Sequence, residues 1–121
     1  MRDKKVTAAL KTIANSRFPE AQAEVTTRIF ERRSGDRDFM CDVKRLLSDR
    51  DLIMAYALDG EESSFRFHRV PVSAFRPLLN RFLNEHPRLS LEGDRVFDHS
   101  EAKYTPVHIP LEWVESYLVW P

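Results

Sequence analysis

The residues of this sequence best suited to bind a metal ion are four histidines and one cysteine. They are His68, His86, His99, His108 and Cys41. None falls into the Cys-x-x-Cys or His-Glu-x-x-His spacing with which short motifs bind zinc. His108 and Glu112 have a helical separation, but we expect Pro110 to begin a helix between them and so break their shared face. The sequence predicts no metal ligand.

Neither a catalytic nucleophile nor a phosphate-binding loop is indicated. Asp42 follows Cys41, and an adjacent carboxylate raises a thiol pKa and disfavours the reactive thiolate. Each of the three glycines is followed by an acidic residue, whereas a phosphate cradle needs clustered glycines and a nearby cation. We therefore predict no catalytic residue and no cofactor. An enzyme whose site is assembled from distant residues stays the third alternative.

A helix predicted over residues 74–86 carries side chains suited to reading DNA. Arg76, Asn80 and Asn84 recur every four residues opposite its apolar side, and Arg81 flanks them. Arginine and asparagine match the edges of guanine and adenine in the major groove. Because a predicted hairpin follows this helix, the order resembles the recognition helix and wing of a winged-helix regulator. DNA binding is thus the alternative function.

A helix-turn-helix is the second arrangement that would bind DNA. The residues Ser34-Gly35-Asp36-Arg37 would join the second and third predicted helices, and four residues suit such a turn. Three acidic residues crowd the start of the third helix, where phosphates would have to approach. This arrangement is therefore the weaker of the two.

The aromatic residues of the C-terminal segment indicate protein binding. Trp113, Tyr117 and Trp120 occur at i, i+4 and i+7 of a predicted helix that begins at Pro110, off its apolar stripe. A helix apolar on two sides either lies within the core or offers one side to a partner, and Trp, Tyr and Arg dominate binding at interfaces. The other contact candidates are four arginines: Arg28, Arg32, Arg33 and Arg37.

Composition restricts the class of partner and the compartment. With 19 basic and 19 acidic residues, the formal net charge is zero, so no overall field attracts nucleic acid or an anionic membrane. The one cysteine cannot form an intramolecular disulfide. The N-terminus has no apolar run typical of a signal peptide, and no stretch approaches the roughly 18 apolar residues of a membrane span. We expect a cytoplasmic protein without a membrane partner.

The spacing of apolar residues predicts the elements. A length of 121 residues suits one domain over residues 1–121. Three N-terminal helices are expected, over about 4–16, 19–33 and 36–47. Strands at 52–58 and 65–70 follow, although 51–57 is also compatible with an extension of the third helix. After helix 74–86 come a hairpin, a strand at 104–109 and the final helix. This order, ααα-ββ-α-βββ-α, predicts an α+β fold with a small, mostly antiparallel sheet.

The hairpin of residues 89–98 has a specific predicted register. Gly93-Asp94 suits a two-residue loop with glycine first, which places Leu91 opposite Val96 and Glu92 opposite Arg95. A DNA-binding wing needs cations at its tip, whereas this tip has a net negative charge. The hairpin therefore argues against a wing.

These observations favour a small non-enzymatic protein that binds another protein, as an adaptor, an inhibitor or an accessory subunit. Two alternatives remain for the aromatic surface: it forms the interface of a homodimer, or it is buried within the core.

Overall fold

The computed structural model of the chain describes residues 2–19, 25–33 and 35–120, the side chains of Arg2 and Asp3 excepted. These residues form two helices, α1 (Arg2–Arg17) and α2 (Phe75–Glu85). The strands in chain order are β1 (Val25–Phe30), β2 (Asp38–Cys41), β3 (Leu52–Leu58), β4 (Arg66–Val70), β5 (Leu89–Glu92), β6 (Arg95–Asp98), β7 (Lys103–Thr105), β8 (Val107–Pro110) and β9 (Leu118–Trp120). Neither helix is long and apolar enough to cross a membrane.

The strands form three sheets, of which the largest has the order β1-β3-β4-β9. In this main sheet β1 runs parallel to β3, while β3 and β9 run antiparallel to β4. The two smaller sheets, β2-β8 and β5-β6-β7, are antiparallel throughout. The described part of the chain therefore has an α+β architecture, in which β1 and β9 are the edges of the main sheet.

The main sheet is covered on both faces, which explains the continuous apolar run of β3. Ile53, Ala55 and Ala57 lie in one hydrophobic cluster with residues of α1. Leu52 and Met54 lie in a second cluster with residues of α2, β2 and β8. A strand whose two sides are both buried needs apolar residues at every position rather than at alternate ones. The hairpin prediction for β3 and β4 is confirmed, and residues 51–57 do not extend a helix.

The fourth predicted helix and the later hairpin are also confirmed. Helix α2 ends at Glu85, before Pro87, because a proline disfavours helical geometry in the residue that precedes it. Leu91 pairs with Val96 and Glu92 with Arg95, as the turn chemistry predicts.

The prediction of three N-terminal helices is wrong, because only α1 forms there among the described residues. In the region of the second, residues 25–30 are strand β1, rich in the β-branched residues that strands favour; residues 20–24 lie outside the described part. In the region of the third, Phe39 and Cys41 alternate with exposed Met40 in β2, and only a short 3₁₀ turn, Val43–Leu47, follows. The segments predicted as the two helices of a helix-turn-helix around residues 34–37 therefore contain strands β1 and β2 instead.

The final helix and the strand at 104–109 also need correction. Residues 111–113 and 115–117 are separate 3₁₀ turns, and the chain then extends into β9. Pro106 separates β7 from β8, and proline has no backbone N–H to give to a ladder. The C-terminal apolar residues have helical spacing, but the backbone that carries them turns and extends.

Candidate protein-interaction surface

Strand β9 is an exposed apolar edge of the main sheet. Leu118, Val119 and Trp120 are 44, 46 and 36% exposed. The strand pairs with β4 on one side only, and no other described strand pairs with it. We call these three residues with their outer backbone edge the β9 surface.

A cleft beside Trp120 extends this surface toward α1. Its volume is about 480 Å³, and Ile13, Arg17 and Phe65 are among the residues that line it with Trp120. The guanidinium carbon of Arg17 lies 3.6 Å from the centroid of the Trp120 ring, a distance at which the cation is attracted by the ring face. This contact positions the indole while leaving a third of the residue exposed.

The other two aromatic candidates lie elsewhere. Trp113 and Tyr117 are half-buried against the hydrophobic cluster on the α2 side. The guanidinium carbon of Arg81 lies 4.2 Å from the Trp113 ring centroid. Trp113 and Tyr117 thus pack on the core, whereas Trp120 faces outward on the α1 side. The three do not share one helical face, because the segment is two turns and a strand.

None of the four candidate arginines lies on β9 or lines the cleft beside Trp120. Arg28 is exposed on β1, the opposite edge of the main sheet from β9. Arg32 forms ion pairs with Asp59 and Glu61. Arg37 donates a hydrogen bond to the carbonyl oxygen of Arg32, and Arg33 is exposed. The arginines and Trp120 therefore belong to different surfaces.

The polar face predicted for α2 is present. Arg76, Asn80, Arg81 and Asn84 are all exposed on that helix. Arg81 is engaged with Trp113, and its Nε lies 3.9 Å from Glu85 Oε1. DNA binding by this face stays a prediction.

Two titratable side chains are buried in the core. Burial raises the pKa of the Cys41 thiol to about 11; Arg45 lowers it and Asp42 raises it by smaller amounts. Burial lowers the pKa of His68, although its Nδ1, 3.0 Å from the carbonyl oxygen of Met54, donates to that oxygen. Both side chains are therefore neutral at pH 7.

The described residues contain no group of three or more His, Cys, Asp or Glu residues able to hold a metal ion.

No protein-family model, no curated protein and no solved structure matches this chain. The surfaces of the described residues are therefore what indicates a function. The sequence indicated Trp120 but not the edge strand that carries it, because Leu111, Val114 and Leu118 have helical spacing. The consecutive apolar residues Leu118 and Val119 were the available signal for a strand.

Proposed function

We propose that this protein acts by binding another protein, which adds a strand or an extended segment to β9. The observation that carries the proposal is that three consecutive side chains of an edge strand, Leu118, Val119 and Trp120, are apolar and exposed. An edge strand offers unpaired backbone donors and acceptors to another chain. Addition of a strand there satisfies those groups and buries the three side chains.

The composition of β9 supports a binding role for this edge. Proteins commonly protect sheet edges with charged residues, proline or a covering loop. None of the residues Leu118–Trp120 is charged or a proline. Burial of apolar surface contributes about 25 cal/mol per Å², and tryptophan is among the residues that most often dominate interface energies. The partner therefore supplies an extended segment with apolar side chains, as expected for the target of an adaptor, an inhibitor or an accessory subunit.

The test is affinity capture from the native host lysate with three baits: wild type, Trp120→Ala and Tyr104→Ala. Tyr104 is a matched control, since it is an exposed aromatic residue on another sheet. The proposal expects a protein that wild type and Tyr104→Ala retain and that Trp120→Ala loses, with circular dichroism unchanged in both variants. Equal capture by all three baits, or no captured protein, would contradict it.

The same capture is repeated after nuclease treatment. The proposal expects the captured protein to remain, because the contact is between polypeptides. Loss of capture after nuclease would favour the DNA-binding alternative through Arg76, Asn80 and Asn84. Sedimentation of the purified chain determines whether the partner is a second copy.

A further inference from the structure

A groove follows the other edge of the main sheet, between β1 and β2. A cavity of about 290 Å³ lies at one end, lined by Thr27 and Cys41 among others. A second, of about 390 Å³, lies at the other end and includes Ile29 and Asp38. Met40, 42% exposed, lines both cavities. The two cavities therefore adjoin at this flexible apolar side chain, and we call them together the groove.

The backbone of β1 presents unpaired groups along this groove. The carbonyl of Phe30 accepts from the amide of Asp59, which follows β3. The carbonyl of Val25, an odd number of residues from Phe30 and so directed away from β3, accepts from Arg45 Nη1 at 2.9 Å. Since backbone groups alternate along a strand, Thr27 and Ile29 direct their N–H and C=O groups away from β3. No described strand pairs with them.

The two ends of the groove differ in charge. Lys11 and Arg45 line the Val25 end, together with one carboxylate, Asp42. Three carboxylates line the Phe30 end with one cation; they are Glu31, Asp36 and Asp38, with Arg28. The groove is therefore basic at one end and acidic at the other. A ligand with the opposite order of charges would be favoured in one register.

We propose that this groove binds an extended segment of a second polypeptide by strand addition to β1. The segment carries a carboxylate toward Lys11 and a Lys or Arg side chain toward Glu31 and Asp38. Its backbone pairs with Thr27 and Ile29, and an apolar side chain covers Met40. This site lies at the opposite edge from β9 and does not depend on the function proposed for that surface.

The probe is a phage library of random linear eight-residue peptides, selected against the immobilised full chain. Selected peptides are synthesised and their Kd is measured by calorimetry. We expect them to carry an acidic and a basic residue several positions apart, because the two charged ends of the groove lie at opposite ends of the six-residue strand β1. With such a peptide, amide NMR shifts should concentrate in Val25–Phe30 and Asp38–Cys41, and not in Leu118–Trp120.

Matched charge reversals on α1 test the electrostatic part. Lys11→Glu should weaken the selected peptides at least about tenfold. Lys5→Glu, an exposed change on the same helix that does not line the groove, should change the Kd by less than about twofold. If the two variants bind equally, the proposed register of charges is overturned.

Peptide N-methylation tests the backbone pairing without altering the protein. Methylation at alternate residues removes either the donors that face β1 or those that face away. We therefore expect one methylation pattern to abolish binding and the other to retain it. Equal effects of the two patterns, no enriched peptide, or shifts that map to β9 would each overturn strand addition to β1.

Discussion

The imidazole of His68 lies inside the core, where its neutral form is favoured. The ring stacks on Tyr56 with centroids 5.7 Å apart and meets Phe39 edge-on at 6.3 Å. Burial lowers the pKa of the ring, while the hydrogen bond to Met54 and the charge of Glu115 oppose this effect. The unfolded chain therefore binds a proton at a higher pH than the folded chain does.

We predict that His68 makes the protein less stable in acid. Above the unfolded pKa of about 6.5 both states are neutral at this ring. As the pH falls below it, the unfolded state gains the proton first, and the free energy of unfolding falls by up to about 1.4 kcal/mol per pH unit. Thermal unfolding of wild type and His68→Gln between pH 7.5 and 5 measures this slope. His68→Gln should flatten it, and a slope in this variant equal to that of wild type would refute the assignment.

At the scale of elements, turn chemistry predicted more than apolar spacing did. The loop Gly93-Asp94 gave the register of β5 and β6, and Pro87 gave the end of α2. The spacing of apolar residues gave the wrong prediction, a helix, at β1 and at β9. Val25 and Ile29 are spaced as in a helix but belong to a strand. The C-terminal segment has the same ambiguity, with helical spacing at Leu111, Val114 and Leu118. Whether such a segment is a strand depends on β3 and β4 being available beside it, and a local pattern does not contain that information.

The β5–β6 loop gives a quantitative prediction for glycine. Gly93 has a φ of +65°, a conformation that other residues adopt at a cost. Gly93→Ala should therefore lower the free energy of unfolding by about 1 kcal/mol. Gly35 is the matched control: an added Cβ meets nothing within 4 Å at either glycine, and Gly35 lacks a positive φ. Urea unfolding of both variants measures the difference, and an equal cost would contradict the strain.

At the scale of the whole molecule, the main sheet is covered on both faces, and no described strand pairs with the outer edge of β1 or of β9. Its faces are buried by α1 on one side and by α2 with β2 and β8 on the other. The remaining backbone donors and acceptors of the sheet lie at β1 and β9. Trp120 was predicted as a contact residue from its type and its spacing on a predicted helix, whereas its place on a sheet edge follows only from the assembled fold. Both proposed sites therefore use strand addition, with charge at β1 and apolar side chains at β9.

The most direct test of the central claim is the affinity of the captured partner for two matched valine variants. Val119 and Val72 are both exposed, but only Val119 lies on β9. Val119→Lys introduces a charge into the proposed contact and should weaken Kd at least tenfold, or about 1.4 kcal/mol. Val72→Lys should leave Kd within about twofold, as expected for a change outside the interface. A Val119→Lys variant that folds and binds the partner like Val72→Lys would contradict a binding role for β9.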